Sequence, residues 1–247
     1  MFAVFKGEEL IAQWRCKAVI GRTSDEYAVW LERLFEQSGL HFKDIDDAIF
    51  SSVVPDMNAD IINMCSGYLG VQAISVTSDM VKGELDIHID QPEELGADRI
   101  VNSVSCLQQY GVPAIILDFG TATTLDVLDD SGAYIGGIIA PGVKLSMQAL
   151  YDAAAKLPKV DIQKPGHIVG TSTREAMYSG LYWGYVSMIN GLIEKIIQEQ
   201  SFVKPQIIGT GGLASMFEES LSQVSVVDES LTLKGLNMIY RSVKNLK

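Results

Sequence analysis

A run of small and hydroxyl-bearing residues interrupts the apolar stretches in the second half of the chain. In ILDFGTATTLDVLDD, Asp118 and Gly120 follow one apolar run, and Thr121 begins the polar step toward the next. A small-residue turn between two strands lets backbone N–H groups approach an anion, and threonine hydroxyls add donors. A carboxylate there suits a cation that bridges phosphate oxygens, or an activated water. The segment indicates either a phosphate site with its cation or a hairpin whose Asp and Thr side chains cap turns.

Two further glycine clusters follow apolar runs in the same half of the chain. They are GGIIAPG, residues 136–142, and GTGG, residues 209–212, and each precedes a predicted helix. Ligands commonly meet helix N-termini at such positions, because the first backbone N–H groups of a helix point outward. Three glycine loops in one half favour a nucleotide site over an ordinary hairpin.

A carboxylate and a guanidinium stand together in PEELGADRI, where Asp98 and Arg99 follow Gly96. An aspartate beside a transferred phosphoryl group can orient and deprotonate an acceptor hydroxyl, and an adjacent arginine can bind an anionic part of the acceptor. The alternative is a solvent-exposed Asp–Arg pair on a helix surface, which would contribute little.

Other polar and aromatic residues have simpler interpretations. In VGTSTREA, Ser172 and Glu175 fit a capping box, and a ligand contact from Thr173 is the alternative. The helical spacing of the aromatic residues in MYSGLYWGYVSMI predicts core or a subunit interface. The histidines lack a Ser or Cys partner pattern and are expected at the surface or in turns: His41, His88 and His167.

Composition excludes several classes of function. The 247 residues carry a formal net charge of −12, which offers no basic stripe to a nucleic acid or an anionic membrane. No stretch approaches the roughly 18 apolar residues that span a bilayer. The three cysteines form neither a disulfide framework nor a zinc pattern, and they favour a reducing cytoplasm: Cys16, Cys65 and Cys106.

The predicted elements place these residues on two similar halves. The first half, residues 1–110, reads as two strands around a Lys6–Gly7 turn, a helix opened by a Thr23–Glu26 capping box, and a buried strand AIFSSVV. A helix from Pro55, a short strand AISVT and a helix from Pro92 to Gly111 follow. The second half, residues 111–247, reads as strands AIILDFG, TTLDVLDD, AYIGGII and QIIGT, with helices at 143–154 and 173–200 and a closing helical pair. This order predicts an α/β fold with a mixed sheet in each half and the halves packed across a cleft.

The two halves differ at their beginnings when they are aligned on their turns. FAVFKGEEL in the first half matches TLDVLDDSGAYI in the second, where a strand and a small-residue loop come before it. The equivalent strand and loop of the first half are therefore expected to be missing before Met1.

The order of several blocks resembles the type III pantothenate kinases, a family related to the Bvg accessory factors. The blocks are SSVVP, PEELGADRIVN, LDFGTATTLDV, YIGGIIAPGV, AAAKLP, VGTSTREAMYSGLYWG and IGTGG, and they cover nearly the whole chain. The resemblance implies an actin-like ATPase fold, shared with acetate and sugar kinases, Hsp70 and actin, made of two RNase H-like halves. It also implies a cytoplasmic homodimer that uses ATP, Mg²⁺ and K⁺ or NH₄⁺ to phosphorylate pantothenate in the first step of coenzyme A synthesis.

The resemblance also implies roles for residues at matching motif positions. Asp98 would be the catalytic base, and Gly96, Ala97 and Arg99 would line the pantothenate site. The other implied contacts are Asp118 with the monovalent cation, Thr121 with the ATP phosphates, and Thr173 with pantothenate across a dimer interface.

Two positions depart from the family pattern. The family opens with a strand and an Asp-x-Gly-Asn-Thr loop that grips the ATP phosphates, whereas Phe2 already matches the family's next strand, after that loop. Ile89 stands where the family has a tyrosine that contacts pantothenate. Two alternatives to an ordinary pantothenate kinase therefore stay open: a catalytically impaired paralogue that acts as an accessory or regulatory dimer, and a kinase for another small alcohol.

Overall fold

The fold is given by a computed structural model that describes residues 1–17, 19, 21–154 and 157–245. The chain forms two compact units, each assembled from separate stretches of sequence. Unit 1 comprises Met1–Lys82, Gln91–Val104 and Thr232–Lys247, and unit 2 comprises Gly83–Asp90 and Ser105–Leu231. The division of the chain into two halves at residue 110 stays a prediction. In the structure, the last helix belongs to the unit that contains the first strands.

Unit 1 contains two separate two-stranded sheets with helices. Its elements are β1 Phe2–Lys6, β2 Glu9–Trp14, α1 Ser24–Gln37, β3 Ala48–Phe50, α2 Pro55–Met64 and β4 Ala73–Ser75. Strands β1 and β2 form an antiparallel hairpin, whereas β3 and β4 pair in parallel. The helix α3, Ala97–Gln109, begins in this unit. Side chains of α1 and α2 form its core: Tyr27, Ala28, Leu31, Phe35 and Met64.

Unit 2 is built on one mixed sheet of five strands. Its elements are β5 Ala114–Phe119, β6 Ala122–Leu128, β7 Tyr134–Pro141, α4 Val143–Ala153, α5 Thr173–Gln200, β8 Gln206–Gly211, α6 Ala214–Phe217 and β9 Val226–Val227. The strand order is β7-β6-β5-β8-β9, with β5 antiparallel to β6 and parallel to β8. The last helix, α7 Leu231–Val243, then returns to unit 1.

Most predicted elements are present, and their ends follow local signals. The predicted capping box opens α1, because Thr23 accepts from the Glu26 N–H and the Glu26 carboxylate accepts from the Thr23 N–H. The long helix α5 spans the predicted residues 173–200. Of the block AAAKLP, residues 155 and 156 lie outside the described part of the chain.

Three predictions of local structure are wrong. The helix expected from Pro92 begins at Ala97, because a short 3₁₀ turn at Pro92–Glu94 ends in extended backbone at Leu95. The strand predicted in AIFSSVV is limited to β3, and its side chains are half-buried rather than buried. The predicted closing helical pair includes α6, which is a single turn, and the short strand β9 separates it from α7.

Candidate active site

Asp118 lies near the end of β5, the central strand of the sheet in unit 2. It is half-buried, and it stands directly opposite Thr124 of β6 and Thr210 of β8. Residues directly opposite on neighbouring strands project to the same face of a sheet. The register therefore surrounds one carboxylate with two hydroxyl-bearing side chains, as the sequence could not show.

Gly211 makes room for the Asp118 carboxylate, and Gly120 lies beside the same group at ordinary contact distance. Gly211 at the end of β8 has a φ of +90°, and a Cβ there would collide with Asp118 Oδ1 and lie 2.7 Å from the Phe119 carbonyl carbon. A Cβ on Gly120 would lie 3.6 Å from the same Oδ1. Glycine is therefore required at position 211 of the GTGG motif for two reasons: the backbone comes close to Asp118, and its φ is positive.

The third glycine loop packs against the turn that carries Thr121. A Cβ on Gly142 would overlap the Thr121 carbonyl oxygen and lie 2.9 Å from the Gly120 carbonyl oxygen. Gly142 is also the N-cap of α4, so the exposed Thr121 lies beside the N-terminus of an eleven-residue helix. All three glycine loops of the second half therefore converge at the turn after β5, which can offer donors to an anion.

Two polar residues in β6 were missed by sequence reasoning. Asp126 is fully buried, and its Oδ1 accepts from the Tyr134 hydroxyl at 2.9 Å. It lies two residues after Thr124 and therefore shares the face of Asp118. Thr123 is fully buried too, and its hydroxyl oxygen has no hydrogen-bond partner among the described residues. The sequence did carry one signal: Asp126 interrupts the apolar stretch LDVL, and a buried strand does not ordinarily contain a carboxylate.

Asp98 and its neighbours form a separate group in unit 1. Asp98 lies in the first turn of α3, and its Oδ1 accepts from the Arg99 N–H at 2.9 Å. A Cβ on Gly96 would lie 2.7 Å from that Oδ1 and 3.6 Å from a methyl group of Val53. Both Asp98 and Arg99 are half-buried, and whether they act on a substrate or form a pair on the helix surface stays a prediction.

Thr173 lies on a different element from the other predicted residues. It is the exposed first residue of α5, whose N-cap is Ser172. The predicted capping box is half formed: Ser172 Oγ accepts from the Glu175 N–H, but the Glu175 carboxylate accepts from Thr171 instead, at 2.8 Å from the N–H and 2.9 Å from the hydroxyl.

The remaining titratable candidates are three histidines and three cysteines. The three histidines are exposed, and the cysteines are free thiols. Burial raises the pKa of Cys65 to about 11 and that of Cys106 to about 12, so neither is an activated nucleophile. Within the described ranges, no three His, Cys, Asp or Glu side chains cluster as a metal site.

Comparison with known proteins decides the family. The sequence model of the type III pantothenate kinase family matches residues 1–195. A type III pantothenate kinase of Caulobacter vibrioides is 46% identical over 98% of this chain and 92% of its own length. A type III pantothenate kinase of Halalkalibacterium halodurans is 42% identical over 98% of this chain and 94% of its own length. This chain belongs to the type III pantothenate kinase family.

Solved structures agree with this family at the level of the fold. A Baf family transcriptional activator from Campylobacter jejuni superposes with a TM-score of 0.53 at 17% identity, over 83% of this chain and 88% of that one. An activator of 2-hydroxyisocaproyl-CoA dehydratase from Clostridium difficile, with bound ADPNP, superposes with a TM-score of 0.54 at 15% identity. The match covers 99% of this chain and 93% of that one. The predicted actin-like ATPase fold is confirmed.

Family membership also gives the type of reaction and the phosphate donor. Type III pantothenate kinases are phosphotransferases that use ATP as a substrate, as the resemblance implied. No helix in the described part of the chain has the length and apolar character to cross a membrane.

Proposed function

We propose that this chain transfers the γ-phosphoryl group of ATP to the hydroxyl of pantothenate, the first step of coenzyme A synthesis. The observation that carries the proposal is the likeness to type III pantothenate kinases, 42–46% identical over 98% of the chain. The convergence of three glycine loops beside Asp118 supports it, since phosphoryl transfer needs an anion site and a positioned cation.

Asp98 is the proposed catalytic base. Its carboxylate takes the proton of the substrate hydroxyl, the hydroxyl oxygen bonds to the γ-phosphorus, and the bond from phosphorus to the ADP oxygen breaks. The Arg99 N–H orients one carboxylate oxygen, and Gly96 leaves that oxygen free of a neighbouring Cβ. Gly96, Ala97 and Arg99 are the proposed pantothenate contacts, with the guanidinium suited to the substrate carboxylate.

Thr121 is the proposed contact for the ATP phosphates. Thr121 is exposed, and its turn packs on Gly142 at the N-terminus of α4. Backbone N–H groups at that helix end and the threonine hydroxyl would supply donors to phosphate oxygens.

Asp118 is the proposed ligand for K⁺ or NH₄⁺. The side chains beside it fit such an ion, because a carboxylate and two threonine hydroxyls are hard oxygen ligands. When bound, the monovalent cation and Mg²⁺ would neutralise charge on the phosphate oxygens.

The assembly and location complete the proposal. Thr173 would reach pantothenate in a homodimer, because it is the exposed first residue of α5. The buried cysteine thiols fit a reducing cytoplasm.

The test is ADP release with ATP, Mg²⁺, K⁺ and pantothenate. Asp98→Asn should lower kcat by roughly 10²- to 10⁴-fold, because the amide cannot accept the proton. Its thermal unfolding should be unchanged, since the amide oxygen can still accept from the Arg99 N–H. The matched control is Glu94→Gln, a nearby exposed carboxylate whose loss should leave kcat unchanged.

Two outcomes would contradict the proposal at different levels. Undiminished turnover in Asp98→Asn would exclude Asp98 as the base. ADP release that stays at background in the unaltered chain would instead favour the accessory or regulatory dimer.

A further inference from the structure

A tyrosine hydroxyl in the middle of α5 holds residues 141–146, which we call the α4 start. The Tyr185 O–H donates to the Pro141 carbonyl at 2.7 Å, and the Ser146 hydroxyl lies 2.7 Å from the same tyrosine oxygen. A carbonyl oxygen only accepts, so the Tyr185 proton points to Pro141 and Ser146 donates to Tyr185. The tyrosine hydroxyl therefore bridges Gly142, with one partner directly before it and the other one helical turn after it.

The ring of Tyr185 anchors this hydroxyl in the core of unit 2. Tyr185 is 9% exposed and belongs to the hydrophobic cluster that also contains Phe119 and Val143. Side chains in a close-packed core keep a single rotamer on average, so the position of the hydroxyl is well defined. The α4 start is thereby attached to a rigid element of the fold.

Gly142 explains why the α4 start needs such an attachment. A Cβ there would overlap the Thr121 carbonyl oxygen, so only glycine lets the α4 start pack on the turn after β5. Glycine restricts the backbone less than any other residue, and it offers no side chain as a helix cap. Among the described residues, no side chain caps this end of α4. The bond from Tyr185 to Pro141 supplies the restraint that position 142 lacks.

The direction of the Pro141 carbonyl matters for an anion at this helix end. The first N–H groups of a helix attract phosphate, whereas a carbonyl oxygen carries a negative partial charge and repels it. The bond to Tyr185 fixes the direction of the Pro141 oxygen toward α5. Both hydroxyl protons are used within the bridge, so Tyr185 and Ser146 orient the α4 start rather than donate to a phosphate.

We propose that Tyr185 is a positioning residue for the ATP phosphates, whose hydroxyl holds the α4 start in place beside Thr121. This role rests on the proposed function, because it requires that Thr121 and the N-terminus of α4 bind ATP. Without the hydroxyl, the peptide group between Pro141 and Gly142 turns more freely. The consequence is weaker binding of ATP with unchanged binding of pantothenate.

The same helix supplies a matched control one turn before Tyr185. The Tyr182 hydroxyl donates to the Met216 carbonyl at 3.2 Å and lies 2.8 Å from the Ser220 hydroxyl. Tyr182 is fully buried, and its two partners are again a backbone carbonyl and a serine. Tyr182→Phe and Tyr185→Phe therefore remove the same group from α5, but only the second change touches the α4 start.

Hydrogen exchange tests whether the hydroxyl holds the α4 start. The Ser146 N–H donates to the Gly142 carbonyl at 2.9 Å, across the first turn of α4. Its exchange, measured by NMR, should be about tenfold faster in Tyr185→Phe and unchanged in Tyr182→Phe. Equal exchange at Ser146 in Tyr185→Phe and in the unaltered chain would overturn the proposal.

Steady-state kinetics test whether this position matters for ATP. The KM for ATP should rise about tenfold in Tyr185→Phe, which corresponds to one weakened hydrogen bond to a charged group. The kcat and the KM for pantothenate should change by less than about twofold, and Tyr182→Phe should change none of these constants by more. A KM for ATP that rises equally in both variants would indicate a general loss of packing and would overturn the proposal.

A double variant tests the bridge itself. Since Ser146 acts through the Tyr185 hydroxyl, Tyr185→Phe/Ser146→Ala should have the same KM for ATP as Tyr185→Phe alone. Ser146→Ala by itself should give a smaller rise, because the bond from Tyr185 to Pro141 remains. A further rise in the double variant would show that Ser146 acts without Tyr185, and the bridge would be overturned.

Direct binding of ATP separates this proposal from the kinase assignment. An unaltered chain that releases no ADP would contradict the kinase assignment, and the dissociation constant of ATP from isothermal titration calorimetry would then replace KM. A constant about tenfold larger in Tyr185→Phe than in Tyr182→Phe would support the positioning role. Equal constants, or an unaltered chain that does not bind ATP, would overturn it.

Discussion

Glycines define the space around the carboxylates of Asp98, the proposed base, and Asp118, the proposed cation ligand. Gly96 leaves room for Asp98, and Gly211 leaves room for Asp118, because in each case a Cβ would approach a carboxylate oxygen too closely. Only Gly211 also has a positive φ, at +90°. The two positions should therefore respond differently to alanine, and Gly211 is the more constrained.

Gly211→Ala is expected to lower the free energy of unfolding by roughly 2 kcal/mol or more, through backbone strain and overlap with Phe119 and Asp118. Gly191→Ala is the control, because a Cβ there meets nothing within 4 Å and the residue lies within α5. That change should raise stability by about 0.5–1 kcal/mol. Urea unfolding measures the free energy of unfolding of both variants. If the two variants changed it equally, neighbouring atoms would have moved away from the new Cβ at position 211 without loss of stability.

Asp118→Asn tests the proposed cation site. The half-saturating concentration of K⁺ for ADP release should rise by roughly 10- to 100-fold, because the main negative charge at the site is lost. Asp152→Asn, at an exposed position on α4, should leave the K⁺ dependence unchanged. A K⁺ titration that is the same in Asp118→Asn and in the unaltered chain would remove Asp118 from the ion site.

At the scale of elements, the N-terminus of α5 has an unusual cap. Glu175 reaches past Ser172 to Thr171, and the hydrogen bonds from the Thr171 N–H and hydroxyl lower the pKa of the Glu175 carboxyl. A carboxyl whose pKa is lowered in the folded state stabilises the protein above its unfolded pKa of about 4.3. This contribution disappears as the pH falls through the lower, folded pKa.

Glu175→Gln should therefore lower the Tm at neutral pH. The difference in Tm between this variant and the unaltered chain should shrink as the pH is lowered below about 4, where the carboxyl of the unaltered chain becomes protonated. Thermal unfolding followed by circular dichroism from pH 7 to pH 3 measures the difference. A difference that does not change with pH would show that the ionised carboxylate of Glu175 does not stabilise the N-terminus of α5.

At the scale of the whole molecule, the two units have unequal sheets and separate cores. The core of unit 2 includes a stack of Phe119, Phe217 and Tyr182, with ring centroids 4.9 and 5.0 Å apart, beside a five-stranded sheet. Unit 1 has two two-stranded sheets, and such small sheets have little stability of their own. Unit 1 is therefore expected to be the less stable unit.

Tryptophan fluorescence can test this difference, because Trp14 and Trp30 lie in unit 1 and Trp183 lies in unit 2. Trp183→Phe leaves only reporters of unit 1, and the double variant Trp14→Phe/Trp30→Phe leaves only the reporter of unit 2. The first variant should show a lower urea midpoint than the second. Circular dichroism checks that the substitutions leave the overall transitions unchanged, and coincident midpoints would show that the units unfold as one.

The sequence alone determined the order of most elements, the family and the fold. Apolar periodicity and capping signals are local, so α1, α5 and the strands around Asp118 could be predicted with few errors. Local signals failed at Pro92, where a proline that can begin a helix instead begins a 3₁₀ turn, and at β3, whose burial depends on a neighbouring strand.

Only the tertiary structure decided which side chains meet. Strand register places Thr124 and Thr210 beside Asp118, and those residues are distant in sequence. The burial of Asp126 and the packing of Gly142 on Thr121 likewise depend on contacts between strands and loops. The physical reason is that sheet pairing and burial are set by long-range contacts, which no local pattern contains.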